Sequence, residues 1–164
     1  MAKKKLPQEA ITTVIESLTH DGRGVSHVNQ KAVFIDEALP GENLDFVYTD
    51  IRRDFAEGKV VQLHSRSPQR VDAACPHYGV CGGCSFQHVA DEQQISIKED
   101  LLKEQFRRIG KVDIPEIWSA LTGPHWGYRR KARMGVKFVA KKNRVLVGFR
   151  ERRNPFLAEI DRCK

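Results

Sequence analysis

No apolar run in this sequence approaches the roughly 20 residues that a membrane-spanning helix needs. Lys59-Val60-Val61-Gln62-Leu63 is typical of its longest runs. The basic start, Met1-Ala2-Lys3-Lys4-Lys5-Leu6-Pro7, leads into no apolar stretch, which argues against a secretory signal. These absences point away from the membrane and towards the cytoplasm. Cysteine is scarce, with four residues in 164. Two disulfides would use all four, but a reducing compartment disfavours them and leaves the thiols available as metal ligands. Internal repeats and low-complexity tracts are also missing, so the chain reads as one ordinary domain or two small ones.

What the sequence has in excess is positive charge, unevenly placed. The net charge is +7 and the pI about 9.4. Residues 1–70 carry ten Lys/Arg against ten Asp/Glu, whereas residues 125–164 carry thirteen against three. A short charge run often only keeps a surface soluble. An imbalance of this size points instead to a phosphate-binding surface.

Residues 10–70 read as short strands separated by turns. Ala10–Leu18 alternates and is β-branched, and Thr19-His20-Asp21-Gly22-Arg23-Gly24 follows as a tight turn. Val25–Val28 and Lys31–Ile35 form a hairpin through Asn29-Gln30, with Ala32 and Phe34 on one face and Val33 and Ile35 on the other. Leu39-Pro40-Gly41-Glu42 suits a type II turn. Leu44–Arg52 and Ala56–Leu63 bring the count to five strands, which predicts a small closed barrel of the OB or SH3-like kind. The polar stretch Ser65–Arg70 ends this first domain at residue 70.

Residues 71–164 read as a small α+β domain. Ile95, Leu102, Phe106 and Ile109 recur at helical spacing and predict a helix over Val89–Ile109, capped by Asp91 or Ser96 and stopped by Gly110. Trp126–Val139, Val145–Phe149 and Phe156–Ile160 read as strands, with Lys141-Lys142-Asn143 as a turn.

The cysteines carry the strongest motif. Cys75 and Cys81 are separated by five residues, Cys81 and Cys84 by two, and Cys84 and Cys163 by 78. A Cys-x-x-Cys pair turns two sulfurs to one centre, and Gly82-Gly83 leaves amides free to approach them. Structural zinc usually takes two such pairs, or one pair with histidines at set spacing. Three ligands with one remote partner is the habit of a cubane cluster. Zinc stays open on spacing alone, with His77 and His88 as candidate ligands or surface residues.

The run Cys75-Pro76-His77-Tyr78-Gly79-Val80-Cys81-Gly82-Gly83-Cys84-Ser85-Phe86-Gln87-His88 resembles the cluster-binding signature of the bacterial uracil-C5 RNA methyltransferases, and most closely those acting on 23S rRNA. Asp21–Val25, Val33–Ile35, Leu39–Glu42 and Ser67–Arg70 are similar to that family's N-terminal TRAM domain. Trp126–Arg133 and Val147–Arg150 are similar to its central domain. The resemblance implies a TRAM barrel over residues 1–70 that docks 23S ribosomal RNA. It also implies a central domain over 71–164 with a [4Fe–4S] cluster on Cys75, Cys81, Cys84 and Cys163. A methyltransferase domain using S-adenosylmethionine and a cysteine nucleophile would follow. The sequence ends at Lys164 with no Gly-rich nucleotide loop and no spare cysteine, so no catalytic residue is assigned and the chain alone is expected to be inactive. S-adenosylmethionine then belongs only to a full-length form, with the catalytic domain as its partner in cis. An alternative is a stand-alone RNA-binding protein whose cluster senses oxygen or iron. A small electron carrier would be more acidic and would not need the barrel.

RNA-binding candidates follow from charge and aromatics. In a strand, Arg129, Lys131 and Arg133 would share one face as a phosphate track, with Arg130 on the other. Trp126 and Tyr128 could offer stacking faces, with core packing the expected role for Trp126. Phe55, beside Arg52 and Arg53, is the best surface aromatic of the barrel, and Phe34, Phe46 and Tyr48 are expected in its core.

Overall fold

The computed structural model describes residues 6–163; the basic start at Lys3-Lys4-Lys5 and the terminal Lys164 lie outside the described residues. The chain divides into two compact units, Met1–Arg70 with Ser96–Ile114, and Val71–Ile95 with Pro115–Lys164.

The first unit is built on six strands: β1 (Ile11–Val14), β2 (Ser17–Leu18), β3 (Gly24–Val28), β4 (Lys31–Asp36), β5 (Asn43–Ile51) and β6 (Phe55–Leu63). Their order in the sheet is β1-β5-β6-β4-β3-β2. The two ends of that order, β1 and β2, are halves of one bent strand. The first half pairs antiparallel with β5 and the second with β3, so the sheet curls into a barrel. The bend falls at Ile15-Glu16, where the Ile15 amide donates to Glu42 O (3.0 Å) and the Glu16 amide to Val25 O (2.8 Å). Closure satisfies edges that would otherwise recruit other strands. One pair, β4 with β6, is parallel, which gives the Greek-key order of an OB-type barrel.

Strand alternation fills the interior. Ile15, Val33, Ile35, Ala38, Leu44, Phe46 and Ala56 are buried together, with Ile11, Val28, Tyr48, Val60 and Leu63 packed against them. Turn chemistry fixes the register. Asn29 and Gln30 take left-handed φ of 50° and 64° in the β3–β4 hairpin, and Gly41 takes +80° after Pro40. Glu42 is fully buried and anchors the barrel to the Ser67–Arg70 turn. It accepts from the Leu39 amide (2.8 Å), the Ser67 amide (3.1 Å), and Arg70 Nε (2.5 Å) and Nη2 (2.7 Å).

The helix predicted over Val89–Ile109 is shorter. α1 covers Asp91–Gln105 and ends in a π-turn over Phe106–Gly110. Asp91 is its first residue, and Ser96 lies inside it. The stop is Lys111, in left-handed conformation at φ 54°, rather than Gly110.

In the second unit, Gly135–Val139 (β7) and Arg144–Gly148 (β8) form an antiparallel hairpin. Its turn is a single 3₁₀ step closed by Asn143 at φ 48°. The strand predicted over Trp126–Val139 therefore exists only from Gly135. The strand predicted over Phe156–Ile160 is reduced to one bridge, Leu157 with Arg150, flanked by hydrogen bonds from the Glu151 amide to Phe156 O (2.8 Å) and from the Ala158 amide to Phe149 O (2.9 Å). Glu159 holds this segment to the hairpin through ion pairs with Lys142 and Arg144.

Candidate nucleic-acid interface and cysteine loop

Alternation in β4 sends Val33 and Ile35 inward and leaves Phe34 outside. The parallel register sets Ala32 opposite Phe55 and Phe34 opposite Glu57, so the two phenylalanines meet on the outer surface. Their ring centroids are 5.6 Å apart at 54°, and the Arg23 guanidinium lies 4.9 Å above the Phe34 ring. Arg23 is held there by Asp21 (2.9 Å) and Glu57 (3.0 Å). The β5–β6 turn at one end of this surface contributes Arg52, paired with Asp50 at 2.6 Å, and the highly exposed Arg53, 3.9 Å from Asp54. Lys31 reaches the same turn and donates to Arg52 O at 3.0 Å. Arg52, Arg53 and Phe55 lie together at this turn, where the Arg52 amide donates to Phe55 O (2.9 Å). Phe34 does not join the core, and Phe34 and Arg23 are the contributors that the sequence reading missed. The signal was present, because a strand of a single-layered barrel turns only one of its faces inward. Phe46 is a core residue, and Tyr48 packs edge-on against it with centroids 5.2 Å apart.

This surface is electrically balanced. Arg23, Arg52 and Arg53 each face a carboxylate, so phosphates would have to displace acids to bind them. Hydrogen bonds outweigh burial to lower the Asp21 pKa: burial raises it, while Thr19 and Arg23 lower it by more.

The late basic segment differs in both shape and pairing. Residues 129–134 are exposed and irregular, without strand pairing. The phosphate track therefore has no strand alternation behind it. A strand needs a partner to hydrogen-bond with, and β8 is only long enough to cover Gly135–Val139. Among the described residues, Arg129, Arg130, Lys131 and Arg133 form no ion pair. The Arg129 guanidinium lies 5.7 Å from the Tyr128 ring. Trp126 is 42% exposed rather than core.

The cysteine loop is built against Phe149–Arg152. Cys81 bridges to Glu151, the Gly82 amide donates to Arg150 O (2.9 Å), and the Arg152 amide donates to Val80 O (2.8 Å). The glycines permit this approach. A Cβ on Gly82 would sit 3.0 Å from Arg150 O, and one on Gly83 would sit 3.2 Å from the Phe149 ring. Inside the loop the Tyr78 amide donates to Cys75 O (3.0 Å) and the Cys81 amide to His77 O (2.9 Å). The Cys75 amide donates to Gln87 Oε1 at 3.1 Å.

All four cysteines are thiols rather than disulfides; Cys75 and Cys81 are half-buried, and Cys84 and Cys163 are exposed. Among the described residues no three His, Cys, Asp or Glu side chains gather as a metal site. The backbone nevertheless brings the remote cysteine's segment to the loop, since the Asp161 amide donates to His77 Nε2 at 3.4 Å, two residues before Cys163. His88 is buried, with Nδ1 2.5 Å from the Tyr78 hydroxyl, which gives it an internal structural contact. Three cysteines lie on one loop and the segment before the fourth touches that loop through Asp161 and His77, but the four thiols are not gathered as a ligand group.

Comparison with known proteins accords with the barrel. The TRAM domain model matches residues 9–61. Three curated relatives bear the name 23S rRNA (uracil(1939)-C(5))-methyltransferase RlmD. The one from Methylococcus capsulatus is 52% identical over 98% of this chain, that from Alcanivorax borkumensis 50% over 99%, and that from Alkalilimnicola ehrlichii 48% over 98%. In each case the match covers 36% of the relative, so the chain spans about a third of the length of these proteins.

Proposed function

We propose that this chain, which belongs by sequence to the RlmD family, is the RNA-docking and cysteine-cluster portion of a methyltransferase forming 5-methyluridine in 23S ribosomal RNA. S-adenosylmethionine would donate the methyl group, bound by polypeptide other than these 164 residues. The observation that carries the reading is the half-buried Phe34–Phe55 pair on the outer surface of a barrel matching the TRAM domain.

Two kinds of contact divide the work. The balanced barrel surface offers ring faces on which unstacked bases can lie, each worth roughly 1–3 kcal/mol. The unpaired cations Arg129, Arg130, Lys131 and Arg133 offer phosphate contacts, which release counterions. Folded RNA presents both partners at loops and bulges, where bases are splayed out beside an accessible backbone. Cys75, Cys81, Cys84 and Cys163 would hold the [4Fe–4S] cluster. When bound, it supplies a redox-capable cross-link between the cysteine loop and the segment after β8. Glu151, Arg150 and Arg152 hold the loop in place from the protein side.

Filter binding of a single-stranded ribosomal RNA fragment at four salt concentrations tests the proposal. Four phosphate contacts predict a slope of log affinity against log salt of about −3, at −0.7 per contact. Replacing Arg129, Lys131 and Arg133 with Gln should bring it to roughly −1. An unchanged slope would mean that these cations meet something other than RNA.

A further inference from the structure

We infer that Arg152 is the positioning residue that clamps the Cys75–Cys84 loop in its folded shape, an inference that rests on the proposal that this loop holds a cluster. Arg152 touches the loop at three separated points. Its backbone amide donates to Val80 O at 2.8 Å, its Nη2 donates to Cys84 O at 2.7 Å, and its guanidinium carbon lies 5.5 Å from the Tyr78 ring centroid.

Tyr78 passes the constraint on, since its hydroxyl donates to Ser85 O (2.8 Å) and its amide donates to Cys75 O (3.0 Å). The Arg152 side chain therefore joins Tyr78, before the Cys81-Gly82-Gly83-Cys84 turn, to Cys84 at its end, while the backbone amide that every substitution keeps holds Val80. The flat guanidinium suits this double duty, because it can donate in its plane while its face lies on a ring. An ammonium group lacks that plane and holds neither contact in a fixed geometry.

The sequence gives no hint of this role, because Arg152 is one of thirteen cations in residues 125–164. The contacts separate it from the phosphate-binding set. It is half-buried and spent on the loop, whereas Arg129, Arg130, Lys131 and Arg133 are exposed. Substituting it should therefore leave the salt dependence of RNA binding alone and act on the loop.

The test compares the 164-residue chain with Arg152→Lys, Arg152→Ala and, as a control, the exposed neighbour Arg153→Ala. Amide hydrogen exchange is measured on the metal-free proteins. Iron and sulfide per chain, and the rate of iron loss to EDTA, are measured after anaerobic reconstitution. We expect protection at Tyr78, Cys81 and Gly82 to fall tenfold or more in both Arg152 variants. Iron loss should quicken by a similar factor, while the hairpin amides of Val136–Val147 and the Arg153→Ala protein stay as in the parent. Unchanged loop protection in either Arg152 variant would overturn the clamp, as would an equal loss of protection in the hairpin. If the parent chain takes up no iron, the cluster proposal fails, and the metal-free exchange data still decide the clamp.

Discussion

The buried pair of Glu42 and Arg70 offers a demanding test of how the barrel is held together. The Glu42 side chain is fully buried and that of Arg70 is 9% exposed. Removing the charge with Glu42→Gln keeps the shape but leaves one carbonyl oxygen. Only one of the Leu39 and Ser67 amides, which donate to different carboxylate oxygens, then keeps its acceptor, and an NH₂ group faces the other amide and the guanidinium. Breaking a buried pair from one side costs about 3–5 kcal/mol, because the other charge is left unmatched. At about 1.4 kcal/mol per tenfold, 3 kcal/mol should speed exchange of the barrel's slowest amides by roughly 100-fold or more. The double replacement Glu42→Leu with Arg70→Met should cost less than the two single changes added together, because no charge is stranded. It should not be free, since the Leu39 and Ser67 amides lose their acceptor at roughly 1–3 kcal/mol each. Acidity gives an independent reading. Burial alone would raise the Glu42 pKa, but hydrogen bonds from Arg70, Leu39 and Ser67, together with the Arg70 charge, hold it below its ordinary 4.5. A depressed folded pKa stabilises above the ordinary value and loses that contribution as pH falls through the folded one. The parent should thus lose stability faster than Glu42→Gln does as pH falls below the ordinary 4.5 and through the lowered folded pKa. A cost below about 1 kcal/mol for Glu42→Gln, with parallel acid curves, would refute the reasoning.

Gly58→Ala should destabilise the barrel by about 1–3 kcal/mol, since its Cβ would lie 2.6 Å from Cδ2 of the fully buried Phe46; exchange at β5 and β6 checks this. Phe55→Ala should weaken RNA binding by roughly 1–3 kcal/mol with the salt slope unchanged, because stacking displaces no counterions. Parallel titrations at low and high salt separate the two effects.

Much of the first unit was legible because each local signal agreed with its neighbours. Alternation at Ala32–Ile35 gave the faces of β4, and Asn29-Gln30 and Pro40-Gly41 gave the turns. The bend between β1 and β2 left no mark, because Ile15-Glu16 contains neither glycine nor proline. The strand changes partner there through pairing with β5 and β3, which are distant in sequence. The Glu42–Arg70 pair was equally hidden, since nothing in the spacing of those residues distinguishes it from a surface ion pair. Composition misled at residues 126–134, where strand-forming residues have no strand to pair with. It misled again at Trp126, whose size suggested a core that this unit does not build around it. The cysteine spacing was plain in the sequence. Arg152 was not, because the loop's dependence on it exists only once residues 75–84 and 149–152 are side by side.

Ultraviolet cross-linking of the chain to uridine-rich single-stranded RNA, with the attachment sites mapped by peptide mass spectrometry, tests the central claim most directly. The account predicts cross-links at Phe34 and Phe55 on the barrel's outer surface and at Tyr128 beside the unpaired cations. They should be lost at Phe34 in the Phe55→Ala protein, where the ring pair is broken. Cross-links confined to Trp118 or Phe156, with none on the barrel, would contradict it.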